Sequence, residues 1–462
     1  MKFGGTSVED ARAFERVRRV VAAREAERPV VVVSAMGGFT DALLEAVGAA
    51  SGGDAGAAAQ ALERQFERHV EVARALLAEG AAGEVAASIE AARRGVAEAL
   101  GAVAAEAKPL ALLQDEVVSY GERLSAELLA HVLRGAGLRA RCVDARRCIR
   151  TDAEHGRATP HKDETERRTC EELEHLVEAG EVPVMGGFIA SSAEGLTTTL
   201  GRGGSDYTAA LVGAALRARE IQIWTDVPGV LTCDPRIVKE ARTIPRLSYA
   251  EAAELAYFGA KVLHPKTILP AVVRHIPVRI CNSRDPRAPD TVVYFDAEMS
   301  PRTVKAIALK KGVHIVHVTS ARMLGAYGFL RAIFEVFERH RTVVDIVTTS
   351  EVSVSLSTED TDALDLVVAE LEKFSAVRVE EGRAIVCIVG EGLRNTPGIA
   401  ARVFNTIRDI NVLLISQGAS SINLTFVVEE QHADEAVRRL HEAFFECATS
   451  ELLAHIGESR EP

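Results

Sequence analysis

The sequence predicts an α/β protein in which a mainly parallel β-sheet is followed by two ferredoxin-like units, and three observations support this prediction. Residues 29–34, PVVVVS, form a continuous β-branched run of the kind that is buried on both faces of a parallel sheet. Strand-like runs at 140–143, 182–185 and 221–225 alternate with helical segments, as in α/β folds. The C-terminal part of the chain contains an internal repeat.

The repeat appears without a gap when the chain is shifted by 70 residues, which aligns Gly328 with Gly398 and Phe334 with Phe404. Each copy reads strand, helix, strand, strand, helix, with short apolar segments left for a last strand. This is the βαββαβ order of a ferredoxin-like unit. We place a first domain and the two units, in chain order, at residues 1–297, 306–381 and 383–462. Two such units beside a catalytic-looking domain indicate regulation.

Composition and charge exclude several classes of function. The chain has 462 residues, of which 47% are hydrophobic and 26% are charged, as is typical of a globular protein. A formal net charge of −12 argues against a general nucleic-acid or membrane-surface binder. The 7 cysteines are scattered, without CxxC pairs or histidines at metal-ligand spacing, which favours a reducing cytoplasm and predicts no resident metal site. We find no apolar run of membrane-span length and no signal-peptide pattern.

Residues 196–218, LTTTLGRGGSDYTAALVGAALRA, are the strongest candidate for a binding site. Glycine-rich backbone runs there into an apolar helix that Ser205 is predicted to cap. The buried face of this helix is predicted to include Ala209, Leu211, Val212 and Leu216. A helix start attracts anions, Arg202 suits a carboxylate or phosphate, and Asp206 suits an ammonium, so the segment fits a zwitterion such as an amino acid. The structural alternative is a tight strand-to-helix connection.

A second candidate lies at the start of the chain. MKFGGTS at residues 1–7 sets a lysine before a glycine turn, which is a phosphate-binding arrangement, and a helical pattern follows over residues 8–26. Neither the P-loop pattern nor GxGxxG occurs in the chain. Residues 57–106 predict two antiparallel structural helices, and residues 115–133 predict a helix on which Glu122 would ordinarily be a solvated charge.

Six segments together closely resemble the aspartate kinases, which belong to the amino-acid kinases and carry paired C-terminal ACT domains. The segments are KFGGTSV at 2–8, SAMGGFTDALL at 34–44, SYGERLSA at 119–126, GRGGSDYTAAL at 201–211, WTDVPGVLTCDPR at 224–236 and FGAKVLHPKTILPA at 258–271. Residues 323–330 and 343–356 resemble the first ACT unit of lysine-sensitive members. The resemblance covers essentially the whole chain and implies an open, mainly parallel sheet sandwiched by helices plus two ferredoxin-like ACT domains.

The resemblance implies phosphorylation of the L-aspartate side-chain carboxylate to 4-phospho-L-aspartate by ATP with Mg²⁺, the first step of the lysine, threonine and methionine branch. The implied catalytic residues are Lys2, Asp206 and Lys261. The implied substrate-binding residues are Ser34, Thr40, Glu122, Phe188 and Arg202. The implied nucleotide-binding residues are Lys2, Gly4, Gly5, Thr225, Asp226, Leu231, Arg236 and Lys261.

Regulation by an amino acid, L-lysine, is the further implication. The implied effector residues are Met323, Gly328, Phe329, Leu330, Val344, Asp345, Ser350 and Glu351, with Asp345 or Glu351 receiving an ammonium. ACT domains of the family pair across subunits, which implies a homodimer or larger assembly. We expect a cytoplasmic protein without nucleic-acid or membrane partners.

Two expectations concern the chain ends, and two alternatives stay open. Only Met1 precedes Lys2, whereas the family has a longer strand there, so we expect an exposed sheet edge. The chain ends after the second ACT unit, so we expect no fused homoserine dehydrogenase.

One alternative function is a catalytically weak amino-acid sensor in which the kinase domain is a scaffold. The other is an amino-acid kinase that acts on glutamate or acetylglutamate.

Overall fold

The computed structural model describes residues 1–259, 263–295, 303–325, 327–418 and 420–446. The strands in this part of the chain are β1 (Lys2–Phe3), β2 (Val31–Val33), β3 (Ala140–Val143), β4 (Val182–Gly186), β5 (Ile189–Ser191), β6 (Thr197–Thr199), β7 (Ile221–Thr225), β8 (Arg246–Ser248), β9 (Val278–Asn282), β10 (Thr291–Tyr294), β11 (Ala306–Thr319), β12 (Val347–Thr349), β13 (Ser353–Thr358), β14 (Ala376–Val389), β15 (Leu414–Gln417) and β16 (Asn423–Glu429).

The helices of the same ranges are α1 (Ala11–Ala22), α2 (Phe39–Ser51), α3 (Ala55–Ala61), α4 (Glu63–Leu76), α5 (Glu79–Ala104), α6 (Leu110–Gly135), α7 (Ala145–Cys148), α8 (Lys162–Glu178), α9 (Gly204–Ala215), α10 (Tyr249–Tyr257), α11 (Leu269–Val273), α12 (Phe329–Arg339), α13 (Leu364–Leu371), α14 (Ile399–Thr406) and α15 (Glu430–His441). The described residues divide into two compact units. The first comprises residues 1–230, 245–249 and 263–295, and the second comprises the others.

The first unit contains the mainly parallel sheet that the sequence predicts. Its described strands have the order β3-β4-β2-β1-β7-β9-β10-β8, and the pairs from β3 to β9 are all parallel, whereas β10 runs antiparallel to β9. The β-branched strand β2 is fully buried between β4 and β1. Strand β1 pairs on both sides, with β2 and with β7, so the expected exposed edge is wrong for Lys2 and Phe3.

The register of the parallel strands aligns their carboxyl ends along one border of the sheet, which we call the carboxyl edge. Phe3, the last residue of β1, pairs with Val33 and Trp224, and Val33 pairs with Gly186 at the end of β4. The last residue of β7, Thr225, pairs with the last residue of β9. The loops that follow β1, β2, β4, β7 and β9 therefore all start at the carboxyl edge.

Two helical predictions need correction. Helix α1 begins at Ala11 rather than at residue 8, because the Asp10 side chain caps it by accepting the Ala13 N–H. Residues 57–106 belong to three helices, α3, α4 and α5, rather than two. The chain leaves α3 at Leu62, whose side chain is buried in the core of the first unit, and then starts α4.

The predicted buried face of α9 is mostly correct. Ala209, Leu211 and Val212 are buried. Leu216 follows the last residue of the helix and is only half-buried, because α9 ends one residue earlier.

The second unit contains one antiparallel sheet with the order β12-β13-β11-β14-β16-β15 among its described strands. The helices and strands follow the predicted order in both copies of the repeat. The long strands β11 and β14 serve both copies, because residues 313–319 of β11 pair with residues 376–383 of β14 and residues 306–310 pair with residues 385–389. The start of β11 thus provides the last strand of the second copy, and the predicted boundary at residue 382 falls inside β14.

Among the helices described above, none combines the length and the apolar composition that a membrane-spanning helix requires.

Candidate functional site

A lysine and an aspartate form an ion pair beside the glycine turn that follows β1. Lys2 Nζ lies 2.8 Å from Asp206 Oδ1, and the two side chains are only 12% and 15% exposed. A Cβ on Gly4 would lie 3.6 Å from Lys2 Nζ, and a Cβ on Gly5 would lie 3.0 Å from the Ala35 carbonyl oxygen. The turn therefore packs closely against both the lysine and the loop after β2, and glycine at residue 5 permits that approach.

Helix α9 begins at the same edge without a side-chain cap. Gly203, with φ of +74°, takes the N-cap position, so the prediction that Ser205 caps the helix is wrong. Ser205 lies inside the first turn and faces Gly187, where a Cβ would be 2.6 Å from Ser205 Cβ. Neither the Ser205 N–H nor the Asp206 N–H donates to another described residue. These two donors and the helix dipole are available to an anion.

Two predicted substrate residues flank this helix start. Arg202 is exposed and forms no ion pair within the described ranges. Phe188 has φ of +65°, an unusual conformation for a residue with a Cβ, and its N–H donates to Thr208 Oγ1 over 3.0 Å. The Phe188 ring lies against Gly204, where a Cβ would be 2.7 Å from Phe188 Cδ2. Phe188 thus supports the backbone from which α9 starts.

Glu122 on α6 is a buried carboxylate and not the solvated charge that is usual for a glutamate. It is 3% exposed, and its Oε1 accepts the Ala35 N–H over 3.3 Å. Its Oε2 is buried and has no partner among the described residues. Burial raises the pKa of Glu122 to about 8, and the Ala35 N–H opposes this rise only in part. A cation at Oε2 would restore the charged form.

These contacts close into a ring at the carboxyl edge, which we call the edge ring. In order, its members are Lys2, Asp206, Ser205, Gly187, Gly186, Glu122, Ala35 and Gly5. The link between Gly186 and Glu122 is a close approach, because a Cβ on Gly186 would lie 2.9 Å from Glu122 Cβ. The fold therefore brings Lys2, Asp206 and Glu122 to the carboxyl edge of the same sheet.

Four other predicted site residues lie at the carboxyl end of a strand or in the segment that follows it. Ser34 directly follows β2, and Thr40 lies in the first turn of α2. Thr225 ends β7, and its hydroxyl donates to Asp226 Oδ1 over 3.3 Å. Asp226 Oδ2 lies 3.8 Å from a guanidinium nitrogen of Arg284, so this carboxylate has a cation nearby.

Three predicted nucleotide residues do not belong to the described part of the first unit. Leu231 and Arg236 belong to the second unit, where the Arg236 side chain is 89% exposed and pairs with Asp234 at 2.6 Å. Lys261 lies outside the described residues. The nucleotide role of all three stays a prediction.

The predicted effector residues belong to the second unit, and three of them, Gly328, Phe329 and Leu330, form the start of α12. Gly328, with φ of +80°, is the N-cap, and Phe329 is the first helical residue. Phe329, Met323 and Val344 are partly buried against the core of the first copy of the repeat. Leu330, 41% exposed, lies in the first turn.

Asp345 is the member of the effector set with the most contacts. Its side chain is 2% exposed, and its Oδ1 accepts from Lys310 Nζ over 2.9 Å and from the Tyr257 hydroxyl over 2.5 Å. Its Oδ2 is buried without a partner in the described ranges. Ser350 and Glu351 are exposed. A protein ammonium therefore already occupies part of the predicted ammonium site.

Sequence reasoning did not single out Asp115, which is 1% exposed on α6. Asp115 accepts from Thr199 Oγ1 at 2.5 Å, from the Gly156 N–H at 3.1 Å and from His155 Nδ1 at 2.8 Å. One signal was available, because Asp115 precedes Glu122 by two helical turns and so shares its face of α6.

Comparison with known proteins identifies the family. A model described as "Amino acid kinase family" matches residues 1–282, and an ACT domain model matches residues 386–444. Lysine-sensitive aspartokinase 3 of Escherichia coli is 39% identical over 453 residues, which cover 96% of this chain and 98% of that protein. The chain belongs to the aspartokinases of the amino acid kinase family.

Solved aspartokinase structures share this fold. The structure of E. coli aspartokinase III in complex with aspartate and ADP matches with a TM-score of 0.81 and 38% sequence identity. The match covers 96% of this chain and 99% of the E. coli chain. The same enzyme with lysine and aspartate has a TM-score of 0.82 at 39% identity, with the same coverage. The predicted family, fold class and enzyme class of this aspartokinase are confirmed.

Proposed function

We propose that this aspartokinase transfers the γ-phosphoryl group of ATP to the side-chain carboxylate of L-aspartate and forms 4-phospho-L-aspartate. The edge ring is the observation that carries the proposal. It gathers the Lys2 ammonium, two N–H groups of α9 that donate to no described residue, and the buried carboxyl group of Glu122 at the edge where ligands bind in open α/β sheets.

The chemistry needs charge stabilisation rather than a base. A carboxylate nucleophile with an ordinary pKa of about 4 is ionised at neutral pH. The barrier comes from bringing two anions together while charge spreads over the phosphoryl oxygens. Lys2 and the α9 N–H groups are fixed in place before the reaction and can stabilise that charge without reorganisation. We assign Lys261 to the same task.

The substrate assignment uses both charges of the amino acid. Arg202 would bind the α-carboxylate, and Glu122 would bind the α-ammonium, because the buried Oε2 has no cation of its own among the described residues. Ser34, Thr40 and Phe188 would form the remaining walls. An N-acetylated amino acid has no ammonium to offer, so Glu122 disfavours acetylglutamate.

The nucleotide assignment is the second half of the proposal. The Gly4-Gly5 turn would bind phosphate oxygens, and Thr225, Asp226, Leu231, Arg236 and Lys261 would line the nucleotide. Mg²⁺ enters as part of the MgATP substrate, which supplies most of its ligands as phosphate oxygens and waters. No group of three His, Cys, Asp or Glu side chains in the described ranges could hold a metal ion alone. Asp206 is the carboxylate that fits a cation there.

A coupled ADP-release assay tests this proposal. We expect turnover with MgATP and L-aspartate, and little with L-glutamate or N-acetylglutamate. ADP release that does not depend on aspartate, or a preference for another carboxylate, would overturn the substrate assignment. An inactive protein that still binds amino acids would support the sensor alternative.

We also propose that L-lysine regulates this aspartokinase at the effector set and shifts the kinase towards an inactive state. The E. coli relative is named as lysine-sensitive, and the N–H groups in the first turn of α12, which donate to no other described residue, suit a carboxylate. An incoming ammonium has Asp345 Oδ2 available, although Lys310 holds Oδ1. Initial rates with and without millimolar lysine test this, and identical kinetics would reject lysine.

Assembly, location and pathway are further proposals. The resemblance implies a homodimer or larger assembly through the ACT domains, and Val347 (36%) and Ile415 (47%) are exposed apolar side chains that a partner could cover. Light scattering in solution would measure its mass. A cytoplasmic location, the lysine, threonine and methionine branch, and the three predicted domain ranges remain proposals on the same sequence grounds.

A further inference from the structure

Asp115 holds two separate segments of the first unit. One is β6, through the hydroxyl of Thr199, and the other is the loop at residues 155–158, through the Gly156 N–H and the His155 ring. The two segments also bond to each other, because the Ala158 N–H donates to the Thr199 carbonyl over 2.8 Å. The buried carboxylate of Asp115, which accepts from three donors, therefore links β6 to the loop at residues 155–158.

The held segments define the backbone just before Arg202. Thr199 is followed by Leu200 and then by Gly201, which has φ of +72°. A Cβ on Gly201 would lie 3.3 Å from the Gly156 carbonyl oxygen. The loop that Asp115 holds therefore packs directly on the residue that precedes Arg202.

Arg202 itself has no other anchor. It is exposed and forms no ion pair within the described part of the chain, so the turn that carries it sets where the side chain starts and which positions its guanidinium can reach. An arginine binds a carboxylate well only when its planar fork is correctly oriented. The position of this turn therefore affects how strongly Arg202 binds the substrate carboxylate.

We propose that Asp115 is a positioning residue that sets Arg202 for the α-carboxylate of aspartate by fixing the 155–158 loop and the end of β6. The inference rests on the proposed function, since it uses the role of Arg202 given there. Asp115 does not touch the substrate and acts only through the Arg202 turn.

The test is the Asp115→Asn variant, because asparagine keeps the size of the side chain but turns an amide NH₂ towards one of three donors. We expect the KM for aspartate to rise about tenfold, with kcat and the KM for ATP changed less than about threefold. In the Arg202→Ala background, the same substitution should not raise the KM for aspartate any further, because the turn then carries no guanidinium group to position.

Thr199→Val provides a milder test if Asp115→Asn does not fold. It removes one donor to Asp115 and should raise the KM for aspartate, and Thr199→Ser should restore it. Thr198→Val is the matched control, since Thr198 is a buried neighbour on β6 that bonds to Thr151 instead. Thermal unfolding of each variant reports any general loss of stability.

The outcomes separate this inference from the proposed function. An Asp115→Asn or Thr199→Val protein with a lower melting temperature but a wild-type KM would overturn the positioning role. An equal KM increase in Thr198→Val would also overturn it. If Arg202→Ala alone leaves KM unchanged, the assignment of Arg202 in the proposed function fails instead.

Discussion

The two units differ in whether a buried carboxylate has a cation beside it. In the second unit, the Asp345 side chain is 2% exposed and has the Lys310 ammonium and the Tyr257 hydroxyl on one oxygen. In the first unit, Glu122 is 3% exposed and has only the Ala35 N–H, without a cation among the described residues. Both side chains are equally withdrawn from water, and only one has its charge matched.

The difference shows where a ligand is expected to supply the missing charge. An unpaired carboxylate in a dry site is costly to ionise, so it takes up a proton until a cation arrives. The raised pKa of Glu122, about 8, reflects this state. Asp345 is stabilised by the protein itself, as is Glu251 in the same unit, 2.7 Å from Lys305 Nζ. Glu122 is thus poised for a substrate, whereas the charge of Asp345 is already matched without one.

The largest expected effect is that of Lys2→Ala, which tests whether the first unit uses its charges for catalysis. We expect kcat to fall about a thousandfold, because the ammonium acts on charge that develops in the transition state, with much less change in the KM for aspartate. Steady-state kinetics measure both values. Lys108→Ala, an exposed lysine of the same unit, is the control. Full kcat in Lys2→Ala would remove this lysine from the mechanism.

Arg202→Ala should have the next largest effect, and mainly on binding. Loss of a charge-assisted pair with the α-carboxylate should raise the KM for aspartate about ten- to a hundredfold. Arg167→Ala on α8 is the matched control, because its guanidinium pairs with Glu171 on the surface. A nearly unchanged KM in Arg202→Ala would refute the carboxylate assignment.

Glu122→Gln examines the unpaired carboxylate directly. Wild-type Glu122 must lose its proton to receive the ammonium, so the KM for aspartate should fall as pH rises, up to tenfold per unit, and level off above about 8. The variant should show a KM raised about tenfold at high pH and no such slope. Glu127→Gln, whose partner is the Ser88 hydroxyl, serves as the control. A wild-type slope in Glu122→Gln would assign the titration to another group.

The same residue links pH to stability. Because the pKa of Glu122 is raised in the folded state, folding retains a proton that the unfolded chain releases between its ordinary pKa and about 8. Its contribution is therefore complete at low pH and is lost as pH rises through this window, by at most about 1.4 kcal/mol per unit in the free energy of unfolding. Denaturant unfolding should show a shallower decline in Glu122→Gln.

The parts of the fold that sequence could predict are those with a strong local pattern. The β-branched run of β2 and the strand of β7 need burial on two faces, and the 70-residue repeat fixes the order of the second unit. The sequence does not predict the hairpin of β5 and β6, because strands of only three residues are too short to show a period. The sharing of β11 and β14 between both copies depends on long-range pairing alone.

The same limit applies to the site. Lys2, Arg202 and Asp206 stand beside glycine turns, so local sequence marks them. The burial of Glu122 follows from the close approach of α6 to Gly186, which only the tertiary fold creates. Asp115 is recognised by three donors from two distant segments, and no spacing in the sequence encodes them.

Asp345→Asn completes the comparison and should have the smallest effect on catalysis, because the pairing in the second unit is internal. Lys310 Nζ also lies 3.3 Å from Glu359, so its ammonium keeps one partner and the unit should still fold. We expect the response to lysine to disappear, while kcat without lysine changes far less than in Lys2→Ala. Initial rates over a lysine titration measure both. Unaltered lysine sensitivity would place the effector ammonium elsewhere, and a large loss of kcat without lysine would show that Asp345 serves the reaction as Glu122 does.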